Sequence, residues 1–188
     1  MSGDTPAITG IVLAAGLGSR MGRPKADIVL DGIRLLDRAT TALRAAGCEP
    51  VIAVVQQGVE SDATITINGE PERGMRSSLE IGLATVPADS HAAAVILVDM
   101  PGLTSDAIAQ VIARWKPGRI TMGISNRRRT HPTVMSMTMW REAIATAEAD
   151  EGARRYLAQH PDLIDEVPVA IDATDLDTPG DLAQWEQR

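Results

Sequence analysis

The sequence predicts an α/β fold of three layers, a mostly parallel sheet with helices on both faces. Two observations carry this expectation. Apolar runs of strand length alternate with amphipathic runs of helix length along the 188 residues. The strand-like runs are apolar throughout rather than at every second position, as befits strands covered on both sides. In such sheets ligands gather beyond the carboxyl ends of the strands. The residues that follow 8–13, 51–55 and 93–98 are therefore the first candidates for a site.

Taken in order, residues 8–13 (Ile-Thr-Gly-Ile-Val-Leu) read as a buried strand running into a glycine-rich turn over 14–25. Residues 26–30 form a short strand closed by the turn dipeptide Asp31-Gly32. Residues 33–46 carry Leu36, Ala39 and Leu43 on one helical stripe, and Gly47 stops them. Residues 51–55 are a second buried strand and the alternating 63–67 a third. Residues 76–86 are helical, with Leu79, Leu83 and Val86 on one face, and 93–98 are a fourth strand leading into Asp99-Met100-Pro101. Within 104–115, Ile108, Val111, Ile112 and Trp115 repeat at i, i+3, i+4 and i+7. Beyond Pro117, strands are expected at 120–124 and 133–137, flanking a basic loop at 126–130. Helices follow at 138–149 and 152–159, the second ended by Pro161, and then a strand at 163–169. The last helix opens at Thr178, with Pro179 in its first position and Asp181 completing a capping box. No internal repeat or linker interrupts the series, so residues 1–188 are expected to form a single Rossmann-like domain.

Composition narrows the function. Hydrophobic residues make up 44% and charged residues 23%, ordinary globular usage. A single cysteine, Cys48, excludes a disulfide framework and a cysteine-rich zinc site, and is expected to serve packing. No apolar run reaches membrane-spanning length, and residues 1–6 lack a basic-then-apolar leader, so a cytoplasmic protein with no membrane partner is expected. A net charge of −7 and a ring inventory of Trp115, Trp140, Trp185 and Tyr156 argue against nucleic-acid binding. Of the 18 basic residues only Lys25 and Lys116 are lysines.

The strongest feature is the run Leu13-Ala14-Ala15-Gly16-Leu17-Gly18-Ser19-Arg20-Met21-Gly22-Arg23-Pro24-Lys25. Gly16, Gly18 and Gly22 let backbone amides approach an anion closely. Arg20, Arg23 and Lys25 add positive charge with no acid among them, an arrangement suited to a polyphosphate. The run is not a dinucleotide fingerprint, because Met21 stands where the third glycine belongs, and it is not a Walker A loop. Asp99, directly after a buried strand, faces this loop across the sheet edge and suits Mg²⁺, which takes one or two carboxylates plus phosphate oxygens. Asp177 precedes a capped helix; a favourable charge at that helix start and metal binding are both open to it. Ser77 and Ser78 open a helix, as caps or as hydroxyl donors to a nucleotide. His131-Pro132, beside Arg127, Arg128 and Arg129, is a candidate receiver of an anionic acceptor. No nucleophile–base pair is visible, which points to direct displacement at phosphorus rather than a covalent intermediate.

These segments resemble the MobA/MocA-like molybdenum cofactor nucleotidyltransferases. The opening run is similar to that family's nucleotide-binding motif, and Gly74-Met75-Arg76-Ser77-Ser78-Leu79 to its Gly-Met-x-Ser-Ser-Leu segment. Asp99-Met100-Pro101 stands where the family places a metal-binding Asp. Thr130-His131-Pro132 resembles a Gly-His-Pro, with Thr130 in place of the glycine. Asp150 to Arg154 and Asp175-Leu176-Asp177-Thr178-Pro179 resemble two further motifs. The resemblance implies the nucleotide-diphospho-sugar transferase type of fold. It also implies a nucleotide site of Leu13, Ala14, Ala15, Gly16, Gly18, Ser19, Arg20, Lys25, Ser77 and Ser78. Arg20, Lys25 and Asp99 would be catalytic, Asp99 and Asp177 would hold Mg²⁺, and His131 and Pro132 would meet the acceptor. The Ala14-Ala15-Gly16 opening looks like the cytidylyl branch, which implies transfer of CMP from CTP to molybdopterin. A molybdoenzyme or its chaperone would then be a partner. A GTP-dependent enzyme, a sugar- or methylerythritol-phosphate nucleotidyltransferase, a non-catalytic nucleotide-binding protein and an oxidoreductase are the alternatives.

Overall fold

The computed structural model describes residues 7–187. The segment 1–6, read above for a leader, lies outside the described residues. Strand β1 (Ile8–Leu13) runs through the glycine-rich turn into a small hairpin, β2 (Val29–Leu30) and β3 (Ile33–Arg34), and then α1 (Leu35–Ala45). Next come β4 (Val51–Val55), β5 (Thr64–Ile67), α2 (Met75–Ala84), β6 (Ala92–Leu97) and α3 (Ser105–Ile112). The second half holds β7 (Ile120–Ser125), β8 (Arg128–Ser136), α4 (Met137–Thr146), α5 (Arg154–Gln159), β9 (Ile164–Pro168) and α6 (Pro179–Trp185). Seven strands join one sheet in the order β5-β4-β1-β6-β8-β7-β9, and β8 alone runs against its neighbours.

Alternation along the strands divides the core into two layers. Val12, Ala53 and Ile96 face α1 and α3, where Leu36, Leu43, Ile108 and Val111 meet them. Ile11, Ile52, Val54 and Val95 face α2, α4 and α5, where Leu79, Leu83, Trp140 and Tyr156 pack. With no phenylalanine to fill space, Trp140 is the largest fully buried side chain. Its indole donates to the carbonyl of Ala93 at 2.9 Å, which satisfies its one polar atom inside the core. Gly82 lets α2 lie close on the sheet, since a Cβ there would come 2.8 Å from a Val54 methyl. Cys48 is a buried free thiol whose desolvation pushes its pKa up to about 12, in keeping with a packing role.

Three expectations needed correction. The strand expected over 26–30 is a 3-10 turn at Lys25–Asp27 followed by two-residue β2, whose partner β3 takes the first residues assigned to the helix. The helix expected over 104–115 stops at Ile112; Trp115 instead folds back, its indole donating to the carbonyl of Arg119. The basic loop at 126–130 does not exist as a loop. Asn126 and Arg127, both at positive φ, make a two-residue turn, and Arg128, Arg129 and Thr130 already belong to β8. The capping box of α6 forms as expected, with Pro179 in its first turn. No helix among the described residues is long and apolar enough to cross a membrane.

Replacing Trp140 by alanine removes both the main volume of the second layer and a satisfied hydrogen bond. Urea denaturation should show a loss of about 3–5 kcal/mol.

Candidate active site

The carboxyl edge of the parallel strands carries every side chain that ties the site together. The glycine-rich turn leaves β1 and is pinned to the end of β4. The Ala14 amide donates to the Val54 carbonyl at 2.8 Å, and Gln56 Nε2 donates to the carbonyls of Ala15 and Gly16. Gly18 has a φ of +62°, and a Cβ there would lie 1.9 Å from the Arg23 carbonyl oxygen, so the turn closes on itself only with glycine. That closure, with the Gly22 amide on the Gly18 carbonyl, brings Lys25 back over the sheet edge while Ala26 and Ile28 anchor it in the core.

Asp177 arrives from the other end of the chain. Leu176 is fully buried, and its amide donates to the Asp99 carbonyl at 2.8 Å. One carboxylate oxygen of Asp181 accepts from the amides of Asp177 and Thr178 and from the Thr178 hydroxyl. Those hydrogen bonds, the hydroxyl's first, hold the Asp181 carboxyl below its ordinary pKa. Lys25 Nζ then sits 2.7 Å from Asp99 Oδ2 and 2.5 Å from Asp177 Oδ1, and Arg20 lies 3.2 Å from Asp177 Oδ2. Burial alone would lower the Lys25 pKa, but the hydrogen bonds to Asp177 and Asp99 outweigh it and raise it. Asp175 stands at the rim; desolvation, then the charges of Asp99 and Asp177, push its carboxyl upward.

Asp99 Oδ1 is buried and has no hydrogen-bond partner, the condition of an oxygen able to ligate a cation. Among the described residues no cluster of three or more His, Cys, Asp or Glu forms a metal cage. Two carboxylates with one free oxygen fit a Mg²⁺ ion that completes its shell with phosphate and water.

Two cavities meet here. A cavity of about 420 Å³ is lined by Ala15, Gly16, Gly18, Ser19, Arg20 and Lys25, with Ser78 and Glu72 opposite. A second, of about 860 Å³, is lined by His131, Arg128, Thr130, Arg154, Met122 and Trp140, among others. Leu13, Leu97, Met75 and Asp177 line both, so the Lys25–Asp177 contact lies at their junction. Of the expected site residues, Ala14 lies beneath the turn in the core, and Pro132 is buried and does not itself line the second cavity. Ser77 and Ser78 do not cap α2, whose start is Gly74. Both hydroxyls accept from Asn68 Nδ2 at 3.0 Å, and Ser77 donates to the Gly74 carbonyl. Asn68 and Gln56 escaped the sequence reading, although each directly follows a strand, where functional groups of such sheets collect.

The second cavity owes its shape to a bulge. Between Met122 and Gly123 the β7–β8 register shifts, and His131 and Pro132 are the extra residues on β8. The bulge turns His131 toward β6, where Nδ1 donates to the Val95 carbonyl at 3.0 Å. Burial holds the imidazole pKa below its usual value, with the Val95 bond and Asp99 opposing.

An open, mostly parallel sheet thus carries a cation-bearing glycine turn facing two carboxylates at its carboxyl edge. The model of the MobA-like NTP transferase domain matches residues 10–164, and the chain belongs to that family. It is 32% identical to nicotine blue oxidoreductase of Paenarthrobacter nicotinovorans over 98% of this chain and 96% of that one. It is 27% identical to a molybdenum cofactor guanylyltransferase of Rhizobium johnstonii over 98% and 94%. The crystal structure of Rv0371c from Mycobacterium tuberculosis superimposes with a TM-score of 0.84 at 22% identity, covering 98% of this chain and all of that one. The same protein has also been solved in complex with manganese.

Two outcomes follow from this geometry. Gly18→Ala should lower the thermal unfolding midpoint, by the equivalent of about 1–3 kcal/mol, because the alanine meets both an unfavourable φ and the Arg23 carbonyl. For His131 the folded chain resists the proton that the unfolded chain accepts. Its contribution to stability is present above the ordinary imidazole pKa of about 6.5 and is lost as pH falls below it. A ¹H–¹⁵N NMR titration should show a midpoint under that value with the proton on Nδ1, and His131→Gln should flatten the acid limb of the stability curve.

Proposed function

We propose that this protein transfers CMP from CTP to a phosphorylated acceptor, molybdopterin, releasing pyrophosphate. The observation that carries the proposal is Lys25 clasped between Asp99 and Asp177 at the junction of the two cavities. The smaller cavity takes the nucleotide. Backbone amides from Gly16 to Ser19, with Arg20 and Lys25, cradle the triphosphate, and Ser78 with the Ala15 methyl borders the base. The larger cavity takes the acceptor, whose anionic group meets arginines while its body rests on Met122, Trp140 and Leu157.

The acceptor's phosphate oxygen forms a bond to the α-phosphorus as the bond to the bridging β-phosphate oxygen breaks, and pyrophosphate leaves with its electron pair. Arg20 and Lys25 stabilise the departing charge, and holding both reactants at one junction lowers the entropic part of the barrier. Asp99 and Asp177 would hold Mg²⁺, which when bound offsets the charge of the reacting phosphates. Ala15 lines the smaller cavity with a methyl group, which narrows it and supports the reading of a pyrimidine base. GTP is the second reading, favoured by the name of the Rhizobium relative.

Calorimetric titration with CTP, GTP and ATP in the presence of Mg²⁺ tests the assignment. CTP is expected to bind most tightly, Lys25→Ala to weaken it, and turnover with molybdopterin to drop by about 10²–10³ in that variant. A preference for GTP would replace the cytidylyl reading, and absence of any triphosphate binding would end the transferase one. Reduced nicotinamide cofactors serve as the control for the oxidoreductase reading that the Paenarthrobacter relative's name raises.

A further inference from the structure

The first four residues of β8 differ in what they have left to offer. Arg128 and Arg129 both line the larger cavity, but Arg129 is tied to Glu166 at 2.7 Å, whereas Arg128 makes no hydrogen bond or close ion pair among the described residues and feels the Asp175 carboxylate only at longer range. Arg128 and Thr130 lie two apart on the strand and so share one face. Thr130 is only 6% exposed, lines the same cavity, and its hydroxyl has no hydrogen-bond partner. Its room is made by Gly123 across the ladder, where a Cβ would come 3.0 Å from the Thr130 methyl. A buried hydroxyl that nothing in the fold satisfies is costly for a purely structural residue. His131, next along, has spent Nδ1 on the Val95 carbonyl. A carbonyl only accepts, so Nδ1 carries the proton, and Nε2 is the nitrogen left for the cavity the ring lines. The depressed imidazole pKa keeps Nε2 an acceptor rather than a cation.

The geometry points to Arg128, Thr130 and His131 as a strip that selects the acceptor: Arg128 receives an anionic group, the Thr130 hydroxyl bonds a polar atom, and His131 Nε2 takes an N–H or O–H from the acceptor's body. The inference rests on the transferase reading above and adds what that reading lacks, the hydrogen-bonding pattern the acceptor must present. A simple phosphate satisfies Arg128 alone; a phosphorylated molecule with a ring N–H or a hydroxyl satisfies all three. Thr130, standing where the resemblance has glycine, is the specificity residue of the strip.

The test is steady-state kinetics of pyrophosphate release with CTP and molybdopterin on wild type, Thr130→Val and Arg128→Gln. Thr130→Val keeps shape and loses only the hydroxyl. The KM for molybdopterin should rise about tenfold in each variant, and the KM for CTP should stay within about twofold of wild type. Thr130→Val should keep or raise the melting temperature, because the lost hydroxyl has no partner in the fold. A lowered melting temperature with both KM values raised would make Thr130 structural and overturn its assignment. Variants that match a fully active wild type in molybdopterin KM overturn the strip and leave the transferase reading standing. A wild type that binds CTP by calorimetry yet never turns over molybdopterin removes the proposed acceptor, and the strip's assignment falls with it.

Discussion

A single ammonium group holds three distant parts of the chain at one point. Lys25 comes from the turn after the first strand, Asp99 from the end of β6 and Asp177 from the segment before the last helix, and both ion pairs are partly buried. Two carboxylates this close repel one another and lose hydration as they are covered; the lysine between them makes the arrangement tolerable. Removing one partner of such a cluster leaves charge without compensation, which is more disruptive than the net worth of the pairs. The Leu176 amide on the Asp99 carbonyl and the Asp181 carboxylate on two amides do the remaining work of aiming Asp177. The folded edge of the sheet and the chemistry at it are thus one piece of electrostatics.

Much of this was legible in the residues alone. Runs such as Val51–Val55 and Ala92–Leu97 are buried almost throughout, and their uniform apolarity announced strands covered on both faces. The capping box at Thr178 and Asp181 is a local signal and was readable as such. The errors fall where long-range pairing decides. Arg128, Arg129 and Thr130 look like a charged loop because their partners, Ser125, Ile124 and Gly123, become partners only after Asn126 and Arg127 take a conformation unusual for non-glycine residues. Ser77 and Ser78 have the composition of caps, but the helix starts earlier, at Gly74, and Asn68 from the end of β5 donates to both hydroxyls.

Likeness in fold reaches further than likeness in lining. The superposition with Rv0371c holds at 22% identity because the layers depend on pattern more than on particular side chains. What sets one chain of this architecture apart is therefore found at a handful of positions on the sheet edge. Here those positions divide by origin: the glycine-rich turn, pinned by Gln56, borders one cavity, and the β7–β8 ribbon borders the other.

That division has an evolutionary consequence. Because β8 runs backwards among forward strands, its beginning, not its end, reaches the edge where ligands gather, next to a turn of only two residues. A lengthened or altered turn there remodels one chamber without disturbing the glycine turn or the Lys25 clasp. On the transferase reading proposed above, a lineage can keep its nucleotide handling intact and trade one acceptor for another by editing a single ribbon. Relatives of one shape would then diverge in what they act upon through few and local changes.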